Sequence, residues 1–156
     1  MKHLESPIHT GRNRHAQQLL QTALGYQSTV LQLVHRLMLE EAPPEVVHAL
    51  RTHIRRLQAL LELYGDADHA RLMAGCVRRL SKLRALQVFR QYLVTIDACR
   101  SDLALVDARI HKQVRTLRQA GAPEQIAQAV RELVFPSAAA SDALLLERLD
   151  SVRHDH

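Results

Sequence analysis

Residues Pro44 to Tyr64 read PEVVHALRTHIRRLQALLELY, and the spacing within this stretch decides the fold. At about 100° per residue, Val47, Leu50, Ile54, Leu57, Leu61 and Tyr64 share one side of a helix. His48, Arg51, Thr52 and Arg55 are read on the side almost opposite. The first face requires a core. The second is basic, has no acid three or four residues beyond any of its cations, and suits an anion. Pro44 and Glu45 fit a first helical turn, where a missing N–H costs nothing and negative charge is favoured. Gly65 is a natural residue to follow the last turn.

Working outward, residues 1–12 are polar and aperiodic and read as a flexible arm. From about Asn13 to Glu41 the positions Ala16, Leu19, Ala23, Tyr26, Val30, Leu33 or Val34 and Leu37 recur at intervals of three and four, predicting a first long helix ended by Pro43-Pro44. After Gly65, Asp66 and Asp68 suit the start of a third helix to about Ser81. Its expected core side is Leu72, Met73, Cys76, Val77 and Leu80, with Arg71, Arg78 and Lys82 on another stripe beside Arg79. Phe89 and Leu93 then fall out of phase, which predicts a kink or break between Ser81 and Ala85. A fourth segment follows to about Ala98 with a stripe of Leu86, Phe89, Leu93 and Ile96. Ser101 is expected to cap a fifth, lined by Leu103, Val106, Ile110, Val114 and Leu117 up to Gly121. Short helices from Pro123 to about Val134 and from Ser141 to Val152 complete the reading, and residues 153–156 read as a frayed tail. The expectation is an all-α antiparallel bundle of about four long helices plus short C-terminal helices, occupying residues 13–152.

Composition agrees with helices and with a single body. The chain has 156 residues, 47% hydrophobic and 24% charged, with aromatics at only 3% and no Trp; alternating β-branched runs and Asn-Gly or Asp-Gly hairpin turns are missing. A formal net charge of +5 and a pI near 9.8 favour polyanionic partners. Cys76 and Cys99 have no disulfide or zinc spacing and fit a reducing compartment. The N-terminus lacks the apolar core of a signal peptide, and no segment approaches the roughly 18 apolar residues of a membrane span, so a cytoplasmic protein with no membrane association is expected.

The cations cluster. His48, Arg51 and Arg55 lie along about 10 Å of one helix. A solvated helix back is the bland alternative, but the stripe carries no acid of its own before Glu62. Arg71, Arg78, Arg79, Lys82 and Arg84 occupy a stretch with no acid between Asp68 and Asp97, where mutual repulsion makes most sense if a ligand neutralises it. Lys112, Arg115 and Arg118 form a weaker third group. No histidine pair has the spacing of a zinc site, and no phosphate-binding Gly-rich loop, paired carboxylates or activated nucleophile can be identified, so no cofactor, metal or enzymatic activity is expected. Few aromatics are available for stacking on bases.

Two segments resemble a known family. Val47-His48-Ala49-Leu50-Arg51 with Arg55-Arg56-Leu57 resembles the V-H-x-L-R-V-x-x-R-R-L-R signature of the conserved histidine α-helical domain, and Leu80 to Val88, LSKLRALQV, resembles that family's L-G-x-x-R-D-L-D-V segment. The resemblance spans about Pro44 to Leu93. It implies a helical bundle that binds inorganic polyphosphate through inward-lining basic residues, without established catalytic activity, and it points to His48, Arg51, Arg55, Arg56 and Arg84. Arg78 and Lys82 join them on the stripe argument. Thr52, Gln58, Ser81, Ala85 and Gln87 depart from the pattern, the last two replacing acids. Family members carry two related halves, whereas one motif copy is present here, so a homodimer rebuilding the pair is expected. No E-x-E-x-K segment of the triphosphate-hydrolysing tunnel proteins occurs. The expected function is therefore polyphosphate binding through His48, Arg51, Arg55, Arg56, Arg78, Lys82 and Arg84, with a nucleic-acid binder or an interaction module for an acidic protein as alternatives.

Overall fold

A computed structural model describes residues 7–39 and 41–137, together with residues 143, 146 and 147, and the side chains from Arg14 onward. Among these residues the secondary structure is helical throughout, with no strand: α1 (Pro7–Leu39), α2 (Pro44–Leu63), α3 (Ala67–Thr95), α4 (Arg100–Gln119) and α5 (Ala122–Arg131). The all-α expectation holds. α2 packs between α1 and α3, α4 packs on α3, and α5 lies against α1 with lesser contacts to α3 and α4.

α2 is the centre of the core. Val47, Leu50, Ile54, Leu57 and Leu61 are all buried, and Tyr64 closes the stripe at 5% exposure. Full burial of each aliphatic side chain contributes about 1.5–3 kcal/mol before conformational entropy is subtracted. From α1, Val30, Val34 and Leu37 join the same core, and Ala16 and Ala23 are buried as their spacing predicts, with Tyr26 and Leu33 partly buried. Gly65 takes the left-handed conformation at φ 82° after α2, and the Asp66 carboxylate then accepts from the His69 amide at 3.2 Å to start α3.

α3 departs from the sequence reading. It runs unbroken through Ser81–Ala85, so the predicted break is absent. The register is kept by a polar residue: Met73, Cys76, Leu80, Leu83 and Gln87 follow one another at alternating spacings of three and four, and all are buried. Gln87 is 4% exposed, and its Nε2 donates to the Ala42 carbonyl at 2.9 Å. Ala42 itself lies in the left-handed region at φ 47°, in the turn between α1 and α2. A hydrophobicity pattern assigns glutamine to solvent; here it serves as a buried clamp on that turn. With the phase retained, Leu72, Phe89 and Ile96, expected in the core, are exposed.

Smaller corrections concern the ends. α1 begins at Pro7, inside the stretch expected as an arm, which suits the tolerance of proline in a first turn. α4 starts at Arg100 after Cys99, so Ser101 sits within its first turn instead of capping it. Residues 143, 146 and 147 are helical; the rest of the expected helix Ser141–Val152 and the tail lie outside the described residues. No helix among the described residues is long and apolar enough to cross a membrane.

Candidate anion-binding site

Three of the candidate cations meet at the α2–α3 seam. α2 presents Arg51 and Arg55 one turn apart, and on α3 Arg84 lies within electrostatic reach of Arg51. Arg51 is half-buried because it lies only about 60° around the helix from Ile54, closer to the core than the sequence reading placed it. Its Nε is fully buried and has no hydrogen-bond partner among the described residues. A buried N–H left unpaired costs about 1–3 kcal/mol, and because this nitrogen is closed to solvent an acceptor reaches it only through a shift of the side chain. Burial, then the charges of Arg55 and Arg84, pull the Arg51 guanidinium below the ordinary arginine range. It still carries its charge at neutral pH.

Among the described residues no acid pairs with these three arginines. α2 has no acid between Glu45 and Glu62, and α3 none between Asp68 and Asp97. Glu62 accepts from Gln58 at 3.2 Å. The ion pairs Arg71–Asp68, Arg90–Asp107, His69–Asp66 and His111–Glu41 involve none of the three arginines. His48 is exposed one turn before Arg51 on the same edge of α2, nearer the helix N-terminus, where anions are favoured.

The other residues expected in one groove are placed elsewhere. Arg56 lies about 140° around α2 from Arg51 and stacks on the Tyr26 ring of α1, its guanidinium carbon 5.5 Å from the centroid. The same ring meets His53 edge-on at 5.7 Å. Arg78 lines an open groove between α3 and α5 with Arg71, Arg79 and Gln125, and Arg79 donates to the Gln125 amide oxygen. Lys82 points toward α4, about 160° around α3 from Arg84. The seven candidates thus divide into the Arg51–Arg55–Arg84 cluster, edged by His48, and three separate positions.

The weaker group on α4 also divides. Arg118 donates to the Leu37 carbonyl at 3.2 Å and so caps α1, and Arg115 faces a concavity shared with Glu41 and His111. Lys112 joins Arg109, a residue the sequence reading passed over, in the groove that Lys82 faces. The signal was available, since no acid occurs between Asp107 and Glu124. Among the described residues no three of His, Cys, Asp and Glu gather as metal ligands. What the seam can do chemically is accept phosphate or carboxylate oxygens on guanidinium donors. No protein-family model, curated protein or solved structure matches this chain.

Proposed function

We propose that this protein binds inorganic polyphosphate without hydrolysing it, along the edge formed by Arg51, Arg55 and Arg84, with His48 at its end. The observation that carries this reading is Arg51, half-buried with its Nε unpartnered, beside two further arginines that no carboxylate among the described residues neutralises. Guanidinium forks match phosphate oxygens, and a flexible chain of phosphates can meet successive cations. The resemblance of the α2 and α3 segments to the conserved histidine α-helical domain supports the choice of ligand, with α1 to α4 forming an antiparallel bundle. Arg56, Arg78 and Lys82 then meet only a polymer long enough to leave the seam. A homodimer supplying two motif copies belongs to the same proposal, and light scattering that finds a fully binding monomer contradicts that part of it. The free thiols of Cys76 and Cys99 agree with a reducing, cytoplasmic location.

Competition tests the function directly. Polyphosphate is titrated against single-stranded DNA at matched charge and several salt concentrations, using wild type and the Arg51→Glu/Arg55→Glu variant, with thermal melts to establish that the variant folds. Preference for polyphosphate, lost in the variant, is expected. Preference for DNA points to a nucleic-acid binder; binding to neither polymer points to an acidic protein partner.

A further inference from the structure

The α3–α4 groove gathers a second set of cations. Lys82 from α3 and Arg109 and Lys112 from α4 line a concavity of about 340 Å³ whose remaining walls are Leu86, Gln113 and Thr116. A volume of this order suits a small ligand. None of the three cations makes an ion pair or hydrogen bond among the described residues, and none of the residues lining the groove is acidic; Asp107, the acid nearest in sequence, lies about 160° around α4 from Arg109 and is held by Arg90 at 2.5 Å. Thr116 directs its hydroxyl to the Lys112 carbonyl at 2.9 Å, which leaves the Gln113 amide as the neutral polar group able to turn toward a ligand. The wall therefore combines three uncompensated positive charges, one amide and an apolar floor.

We propose that this groove is a second phosphate site, separate from the α2–α3 seam and suited to a compact anion of two or three linked phosphates, either free or at the end of a longer chain. Three cations match the charge of such a group, whereas a single carboxylate would leave most of it uncompensated. Lys82 then belongs to this site and not to the seam, from which it is turned away on α3. The proposal rests on the phosphate chemistry of the function above, but on different residues.

Calorimetric titration of tripolyphosphate into the whole protein at low salt is expected to find two sites per chain. Arg109→Gln/Lys112→Met removes one, weakening it tenfold or more, while Arg51→Gln/Arg55→Gln removes the other; Arg109→Lys/Lys112→Arg keeps both. A parallel titration with long-chain polyphosphate separates the sources. Loss of tripolyphosphate binding in Arg109→Gln/Lys112→Met assigns a free compact anion, and an effect on the long polymer alone assigns a chain end; either supports the site. Unchanged binding of both ligands in that variant, with an unchanged melt, overturns it. If the seam variant is without effect while the groove variant weakens binding, the α2–α3 reading fails and the groove stands.

Discussion

Replacing Arg84 with methionine separates a binding arginine from a structural one, because the two roles predict opposite signs. Arg84 is half-buried on α3 and adds to the positive field on Arg51, without an ion pair of its own among the described residues. Two neighbouring like charges at the solvent edge of the seam, screened by water and physiological salt, repel by an amount on the order of 0.5 kcal/mol. Methionine keeps the unbranched apolar stem that packs in the seam and removes the charge. Ligand-free protein should therefore gain about 0.5 kcal/mol, a rise of about 1–2 °C in the melting midpoint for a chain of this size. Polyphosphate affinity should fall about tenfold at low salt, with its salt dependence shallower by about one unit. Calorimetry in both states reads the pair of effects. A midpoint several degrees lower would refute the reasoning by giving Arg84 a native partner, and a raised midpoint with unchanged affinity would remove Arg84 from the site.

Other expected outcomes concern the frame around the seam. Gln87→Ala loses the bond to the Ala42 carbonyl and opens a void, lowering stability by about 2–3 kcal/mol in denaturant melts; Gln87→Leu refills the volume but orphans the carbonyl, at about 1–2 kcal/mol. A Gln87→Leu protein as stable as wild type would show that the clamp does not hold the turn. The Asp107 carboxyl is held below its usual range by its hydrogen bond to Arg90. Its folded pKa thus lies below the unfolded one, so the contribution is complete above about pH 5 and is lost as pH falls through the depressed value. For so exposed a pair this amounts to about 0.5 kcal/mol, and Asp107→Asn should flatten the stability profile by that much between pH 5 and 3. Burial raises the Cys76 thiol pKa, while Cys99 is exposed. A thiol reagent at neutral pH should accordingly modify Cys99 quickly and Cys76 only on unfolding; equal rates would contradict the packing of α3.

Much of this was legible because apolar spacing reports burial directly. The α2 stripe and most of the α1 stripe follow from intervals of three and four, and Gly65 marks its turn through a backbone conformation that other residues resist. α3 was misread because one glutamine occupies a core position: its value lies in a hydrogen bond to Ala42, forty-five residues away, and no local pattern carries that information. The basic residues show the same limit. Position along a helix predicts which side a cation leaves from, but not which neighbour it meets. Arg84 turns to Arg51, Lys82 to Arg109 and Lys112, and Arg56 to Tyr26, according to how α1, α3 and α4 are arranged around α2. The shortage of acids between Asp68 and Asp97 signalled that the charge is uncompensated, without revealing that it divides.

The most direct measurement is the slope of log affinity for polyphosphate against log salt concentration, in wild type and in Arg51→Gln/Arg55→Gln. Release of counterions by three seam arginines predicts a wild-type slope of about −3 or steeper, using the single-site coefficient known for nucleic acids, and a loss of about two units in the variant. A slope near zero, or one that the variant leaves unchanged, would contradict phosphate capture by the α2–α3 seam.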